Sequence, residues 1–365
     1  MDTSTLPQTQ IVIVNYEKFS QKSTPELLKE IRKRKFDCIV LDEAHRIKSR
    51  TAQVSKNIMT LKYIPRRLLV TGTPAPNKPY EVFNLLKFLH PATHTSYWKW
   101  VDKYFNTYNV AYKQGNEIGG WKPGMRKQFQ QELDTYCINR KLRDVVDWDT
   151  TVDVIDIPLP VPPSLNKAIS QLKEEYIVGN IEAIGLLDQA SYMKQLCNIP
   201  KLIGVNAPSP KLAWLTDFIK QNKDDRIVLF SMSRKTLEEL HTIFCGKISC
   251  GLITGKIAPR QRQEIVSNFQ KGTIQLLLCQ TQACKEGLTL DRGDVEIFFD
   301  SCQSSVDYLQ AQKRIVSTVA DNARVKRCYR LMLSKQYDEY LYNLVDNNTV
   351  RTDVINSYKS YLGGM

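Results

Sequence analysis

Histidine and cysteine, the residues that most often hold metals or staple small folds, are scarce or badly spaced in this sequence. The four His are His45, His90, His94 and His241, and they are read as no metal site. Nine Cys occur, an odd number with no Cys-x-x-Cys among them, which argues against a disulfide frame and a zinc site. Reduced thiols in an intracellular protein are expected, in a bacterial cytoplasm or, for a eukaryotic source, a nucleus. No apolar run approaches a membrane span, and no secretory signal follows Met1, so no membrane partner is expected. Acidic residues are also outnumbered: 38 Asp and Glu face 51 Lys and Arg, giving a formal net charge of +13. That excess points to a polyanionic partner. At 365 residues, with 42% apolar and 24% charged content, the chain is long enough for two globular domains.

What is present centres on residues 36–48. Cys38 to Leu41 is a short apolar run with β-branched residues, read as a buried parallel strand. Asp42 and Glu43 follow at the end of that strand, where ligands of open α/β sheets bind. A carboxylate pair there suits Mg²⁺ on a nucleoside triphosphate, one acid holding the ion and the next orienting water. A strand simply leaving the core into a charged loop is the plain alternative. Downstream, Arg66 to Val70 leads into Thr71-Gly72-Thr73-Pro74 and an amphipathic stretch ending Leu85-Leu86-Lys87-Phe88-Leu89-His90-Pro91.

This order resembles motifs II and III of superfamily-two helicases, most closely the Swi/Snf-like branch of DNA-translocating ATPases. The resemblance runs from about Gln10 to the C-terminus. It implies an α/β fold of two RecA-like lobes with parallel sheets, using ATP and Mg²⁺ on double-stranded DNA. By the resemblance Asp42 and Glu43 form the metal and catalytic pair, with His45. Thr71, Gly72 and Thr73 couple hydrolysis to lobe movement, the glycine permitting a tight path at the strand end. Ile11 to Val14 reads as a strand, and Tyr16 in the loop after it matches a family contact to the DNA backbone. Thr24-Pro25-Glu26 opens a helix that ends in the basic run Arg32-Lys33-Arg34-Lys35.

One family element is missing. No Gly-x-Gly-Lys-Thr occurs, and the Gly-Lys pairs at 246–247 and 255–256 are followed by neither Ser nor Thr. Lobe one is therefore expected to be truncated at its N-terminal side and to expose apolar surface and strand edge.

Residues 94–135 are rich in aromatics, including Tyr97, Trp98, Trp100, Tyr104, Phe105, Tyr108 and Trp121. Packed helix faces are the favoured reading and base stacking the other. Gly115 to Gly124 reads as a loop. Asp153 to Leu159 alternates like a strand, and helical periodicity then carries on to Ala190. Arg226 to Phe230 is a buried strand ending in Ser231-Met232-Ser233-Arg234, similar to motif IV. Gln280 to Leu290 resembles motif V, with Cys284 and Lys285 where the family usually has glycines. Gln310-Ala311-Gln312-Lys313-Arg314 resembles motif VI on one helix, but the second family arginine is Ser317.

The resemblance implies DNA contacts at Ser231, Arg234 and Thr281, and nucleotide contacts at Gly287, Gln310 and Arg314, the last also catalytic as an arginine finger. The expected division is lobe one at 1–135, a helical insertion at 136–205 and lobe two at 206–365. The expected function is an ATP-dependent double-stranded DNA translocase or remodeller in fragment or split form. The alternative is an inactive DNA-binding remnant, or a subunit taking its P-loop from another chain. A bare engine without appended modules would suit a phage or a large DNA virus.

Overall fold

The computed structural model describes residues 10–72, 74, 78–109, 116–140, 146–147, 151–284, 288–302, 305–316, 325–346 and 354–363. The chain forms two compact units, Met1–Asn139 and Arg140–Met365.

In the first unit, α1 (Thr24–Arg34) starts where Pro25 fits the first turn, and Lys35 ends it in the left-handed conformation at φ 50°. Strands β1 (Cys38–Leu41) and β2 (Arg66–Leu69) pair in parallel, Cys38 opposite Arg66 through Leu41 opposite Leu69. Helices α2 (Gln53–Met59) and α3 (Phe83–Leu89) complete this part. Leu41, Ala44, Ile47, Ile58, Leu85 and Phe88 share one core.

The parallel strand at Cys38–Leu41 is therefore present, but it is buried on one face only. Val40 and Leu68 are each 55% exposed, because a two-stranded sheet leaves its second face uncovered. Ile11–Val14 is not a strand. Ile11 and Ile13 are 80% and 91% exposed, and no strand ladder includes them. Alternating apolar residues become a strand only where a neighbouring strand supplies the ladder.

The aromatic stretch forms α4 (Tyr97–Tyr104), a hairpin of β3 (Phe105–Asn109) and β4 (Asn116–Trp121), and α5 (Met125–Asp134). The loop expected at 115–124 is thus largely a strand. Trp100, Tyr104, Phe105 and Phe129 bury against Phe83 and Leu86, so most of these rings are core. Glu132 organises their polar edges. It accepts from Trp100 Nε1 at 2.8 Å, from Lys103 Nζ at 2.9 Å and from the Tyr104 hydroxyl, with His94 Nε2 at 3.3 Å.

The second unit holds a six-stranded, all-parallel sheet. Its strands in chain order are β5 (Val152–Leu159), β8 (Ile227–Ser231), β9 (Cys250–Ile253), β10 (Leu276–Gln280), β11 (Val295–Phe298) and β12 (Lys326–Leu333). They lie in the order β5-β12-β11-β8-β10-β9. Every residue of β8 and β11 is buried, Ser231 and Glu296 included, as in the middle of a parallel sheet covered on both faces. β5 is an edge strand, which is why Pro158 is tolerated inside it.

Residues of the stretch 136–205, expected as a helical insertion, lie in the second unit from Arg140 on. They supply β5 to this sheet, and α6 (Pro163–Glu175) and α7 (Leu186–Asn198) pack with α12 (Tyr337–Asp346) and α13 (Val354–Gly363) in one core. The helical periodicity expected to run through to Ala190 is broken after Glu175 by a two-stranded turn, β6 (Ile177–Val178) and β7 (Ile181–Glu182), with Tyr176 at φ 60°. Helices α8 (Pro210–Gln221), α9 (Arg234–Phe244), α10 (Pro259–Gln270) and α11 (Ser305–Gln312) complete the unit.

Candidate functional site

Two polar constellations sit at strand ends, one in each unit. In the first unit the chain leaves β1 at Asp42. The next residue, Glu43, is non-glycine yet left-handed, with φ 48° and ψ 48°. Such a conformation costs on the order of 1–3 kcal/mol and persists where the surroundings enforce it. Here they do: Ala44 N–H donates to the Val70 carbonyl at 3.0 Å, and Asp42 Oδ1 accepts the Glu43 N–H at 2.9 Å. The turn aims the Glu43 carboxylate at His45, with Nδ1 to Oε2 at 3.2 Å. The same Nδ1 lies 3.2 Å from Thr71 Oγ1, just beyond β2. Glu43, His45 and Thr71 thus form one linked set across the ends of two paired strands.

Tyr16 belongs to this set rather than standing free in a loop. Its hydroxyl donates to the Asp42 carbonyl at 2.7 Å, and Arg46 lies over its ring at 5.2 Å while pairing with Glu17 at 2.6 Å. Burial pushes the Tyr16 phenol up to about 12, so it stays a donor at any ordinary pH. A methyl group added at Gly72 would meet no atom within 4 Å, and Gly72 has no left-handed φ, so this backbone does not itself require glycine there. Thr73 lies outside the described residues, as do Gly287 and Ser317.

Among the described residues no group of three or more His, Cys, Asp or Glu is placed to hold a metal. A lone hard carboxylate is nonetheless what Mg²⁺ takes when phosphate oxygens and water supply its other ligands, and Asp42 fits that chemistry.

In the second unit a cleft of about 630 Å³ opens at the carboxyl ends of β8 and β10, lined in part by Lys194, Arg234, Lys235, Lys256 and Asp300. Ser233 caps α9 by accepting the Thr236 N–H at 3.2 Å, so the positive end of that helix faces the same cleft. Below it runs a buried polar chain. Asp300 Oδ2 accepts from Ser231 Oγ at 2.6 Å and Asn198 Nδ2 at 2.8 Å, and its Oδ1 accepts the Met232 N–H at 2.8 Å. Lys211, fully buried, donates to the Phe299 carbonyl at 2.8 Å and pairs with Asp338 at 2.6 Å.

Arg234, expected as a DNA contact, reaches the cleft and is paired loosely with Glu238 at 3.4 Å. Ser231 does not. It is fully buried, and its hydroxyl fixes Asp300 beneath the surface. Thr281 is likewise buried, 1% exposed and beside the Cys302 thiol, in the 3-10 turn that follows β10. The motif VI helix also differs, since α11 ends at Gln312. Gln310, half-buried, is on it, whereas Arg314 lies in the following turn and donates to the Leu288 carbonyl at 3.2 Å. Lys194 went unnoticed in the sequence. Burial lowers its ammonium pKa, partly offset by nearby Asp300, and only a Lys on the cleft-facing side of α7 hinted at it.

Comparison with known proteins gives the family. Residues 1–154 match the SNF2-related domain, and residues 210–318 match the helicase conserved C-terminal domain. Human chromodomain-helicase-DNA-binding protein 7 is 24% identical over 92% of this chain and 12% of its own length. The ISWI chromatin-remodeling complex ATPase CHR11 of Arabidopsis thaliana is 26% identical over 76% of this chain and 27% of its own length. The chain thus spans 12% of the length of the first relative and 27% of the second. The solved Sulfolobus solfataricus SWI2/SNF2 ATPase core in complex with dsDNA aligns at 18% identity and TM-score 0.42, covering 89% of this chain and 70% of that one. Both domain models are matched in order along one chain, and the chain belongs to the family of proteins that carry an SNF2-related domain followed by a helicase conserved C-terminal domain.

Proposed function

We propose that this chain supplies the water-activating half and the DNA track of an ATP-driven double-stranded DNA translocase. The observation that carries the reading is the Glu43–His45–Thr71 linkage at the ends of two parallel strands. Asp42 would hold Mg²⁺, whose role when bound is to neutralise phosphate charge. Glu43 orients and deprotonates water, held in its left-handed turn by the backbone around it. His45 ties that carboxylate to Thr71, so a shift of the segment after β2 moves the base.

In the second unit Arg234, Lys235, Lys256 and Lys194 line a cleft suited to backbone phosphates, with Ser231 and Asp300 as its buried support. The sequence holds no Gly-x-Gly-Lys-Thr. The phosphate cradle is proposed to come from a P-loop-bearing segment or chain, docked on the apolar face left by Val40, Leu68 and Val70. A second reading, an inactive DNA-binding remnant, is favoured by Arg314, whose guanidinium is engaged with the Leu288 carbonyl.

DNA-stimulated ATP hydrolysis, measured with and without a P-loop segment added in trans, separates the two. The chain alone should turn over negligibly. The combination should hydrolyse ATP, and Glu43→Gln should cost about 10²- to 10⁴-fold in kcat. Turnover by the chain alone, or turnover that survives Glu43→Gln, overturns the proposal. DNA binding should fall steeply with salt and show little base preference in either reading.

A further inference from the structure

The first unit contains a second polar cleft, away from the acid pair. It encloses about 470 Å³ between α2, α3 and the start of α4, a volume in the range of small-ligand sites. Three cations line it: Arg50, Lys56 and Lys87. None of the three has an ion-pair partner among the described residues. The nearby carboxylate Glu81, which also influences Tyr97, is already paired with Lys48 at 3.3 Å.

Two further features face the same space. Ser55 lines the cleft at 1% exposure, and its hydroxyl has no hydrogen-bond partner among the described residues. A buried hydroxyl left in this state costs about 1–3 kcal/mol unless something completes it. The first turn of α4 is also uncapped: Ser96 makes no side-chain bond to it, and the N–H groups at its start await acceptors. Arg50 lies over the Tyr97 ring at 3.3 Å, which fixes its guanidinium, while Trp98, 38% exposed, packs edge-to-face on Tyr97 with centroids 5.1 Å apart and lines the cleft with its indole.

Cations, an unsatisfied buried donor and an open helix start select an oxyanion, and the indole beside them selects a planar ring attached to it. We propose that this cleft is a phosphate pocket that takes a nucleotide unit. The phosphate sits on Lys56, Lys87 and the Ser55 hydroxyl, and the base lies against Trp98. The nucleotide is either free or one residue of a DNA strand.

Calorimetric titration of the full chain with inorganic phosphate, thymidine monophosphate and a thymidine octanucleotide tests this. The monophosphate should bind more tightly than inorganic phosphate. The double variant Lys56→Glu, Lys87→Glu should weaken it by at least about tenfold, the scale of one lost charge-assisted bond. Ser55→Ala should weaken binding while leaving the melting temperature equal or higher, since it removes an unpaired polar atom. Trp98→Ala should affect the monophosphate but not inorganic phosphate, and Asp42→Asn should affect neither. An octanucleotide that binds more tightly than the monophosphate identifies a strand as the source, and the reverse identifies a free nucleotide. Undiminished binding to the charge-reversed variant, no binding of any probe, or loss of binding in Asp42→Asn would overturn the proposal.

Discussion

The two units bury carboxylates in opposite ways. Glu132 in the first unit is ringed by the indole of Trp100, the ammonium of Lys103, the hydroxyl of Tyr104 and the ring of His94. Burial alone would raise its pKa, but these donors outweigh that and hold it down to about 2. Glu296 in the second unit lies in the middle of β11, fully buried, with neither carboxylate oxygen hydrogen-bonded among the described residues. There burial prevails and pushes the acid up to about 8, with the Cys328 thiol acting in the opposite direction. The two differ in depth as well as in donors, Glu132 being half-buried and Glu296 fully buried, and only Glu132 has enough donors to outweigh its burial. The contrast extends to the sheets: the small one, with one face uncovered, ends at Asp42 and Glu43, and the large one, whose strands β8 and β11 are wholly buried, ends at the cleft lined by Arg234 and Asp300.

The largest stability effect should come from breaking the second unit's buried ion pair. Lys211→Met leaves Asp338 buried without its cation and should destabilise that unit by about 3–5 kcal/mol. Lys48→Met in the first unit, which breaks a more exposed pair with Glu81, should cost under about 1 kcal/mol. Denaturant melts followed by probes in each unit would measure both, and equal costs would erase the contrast between buried and exposed pairing.

Next is Glu132. Its folded pKa lies below the unfolded value, so its contribution is present above about pH 4.5 and is lost as pH falls towards about 2. Glu132→Gln should therefore cost a few kcal/mol at pH 7 and little near pH 2, read from melting curves across that range.

Glu296 should show the opposite sign. Its folded pKa is raised, so the unfolded chain ionises first. Stability should fall as pH rises from about 4.5 to about 8 and then level off. Glu296→Gln should flatten that slope and raise the melting temperature at pH 8 by about 2–4 °C per kcal/mol recovered. A wild-type slope that persists in Glu296→Gln would place the titration on another group.

The sequence alone determined the order of elements and the acid pair. Strand periodicity, turn residues and a carboxylate pair after an apolar run are local signals, written within about a dozen residues. They located β1, β5 and β8 and the Asp42–Glu43 strand end. Only the tertiary structure decided what these residues touch. Whether Ser231 meets a ligand or Asp300 depends on β11 lying beside β8, though 69 residues separate the two side chains. That β5 joins the second sheet depends on its pairing with β12, 174 residues on at the Asp156–Arg330 contact. The left-handed turn at Glu43 needs the Val70 carbonyl, and the Ser55 hydroxyl is orphaned only because α3 and α4 close over it. Local propensity fixes which face of an element is apolar. Which neighbour covers that face is set by sheet order, and no run of adjacent residues contains it.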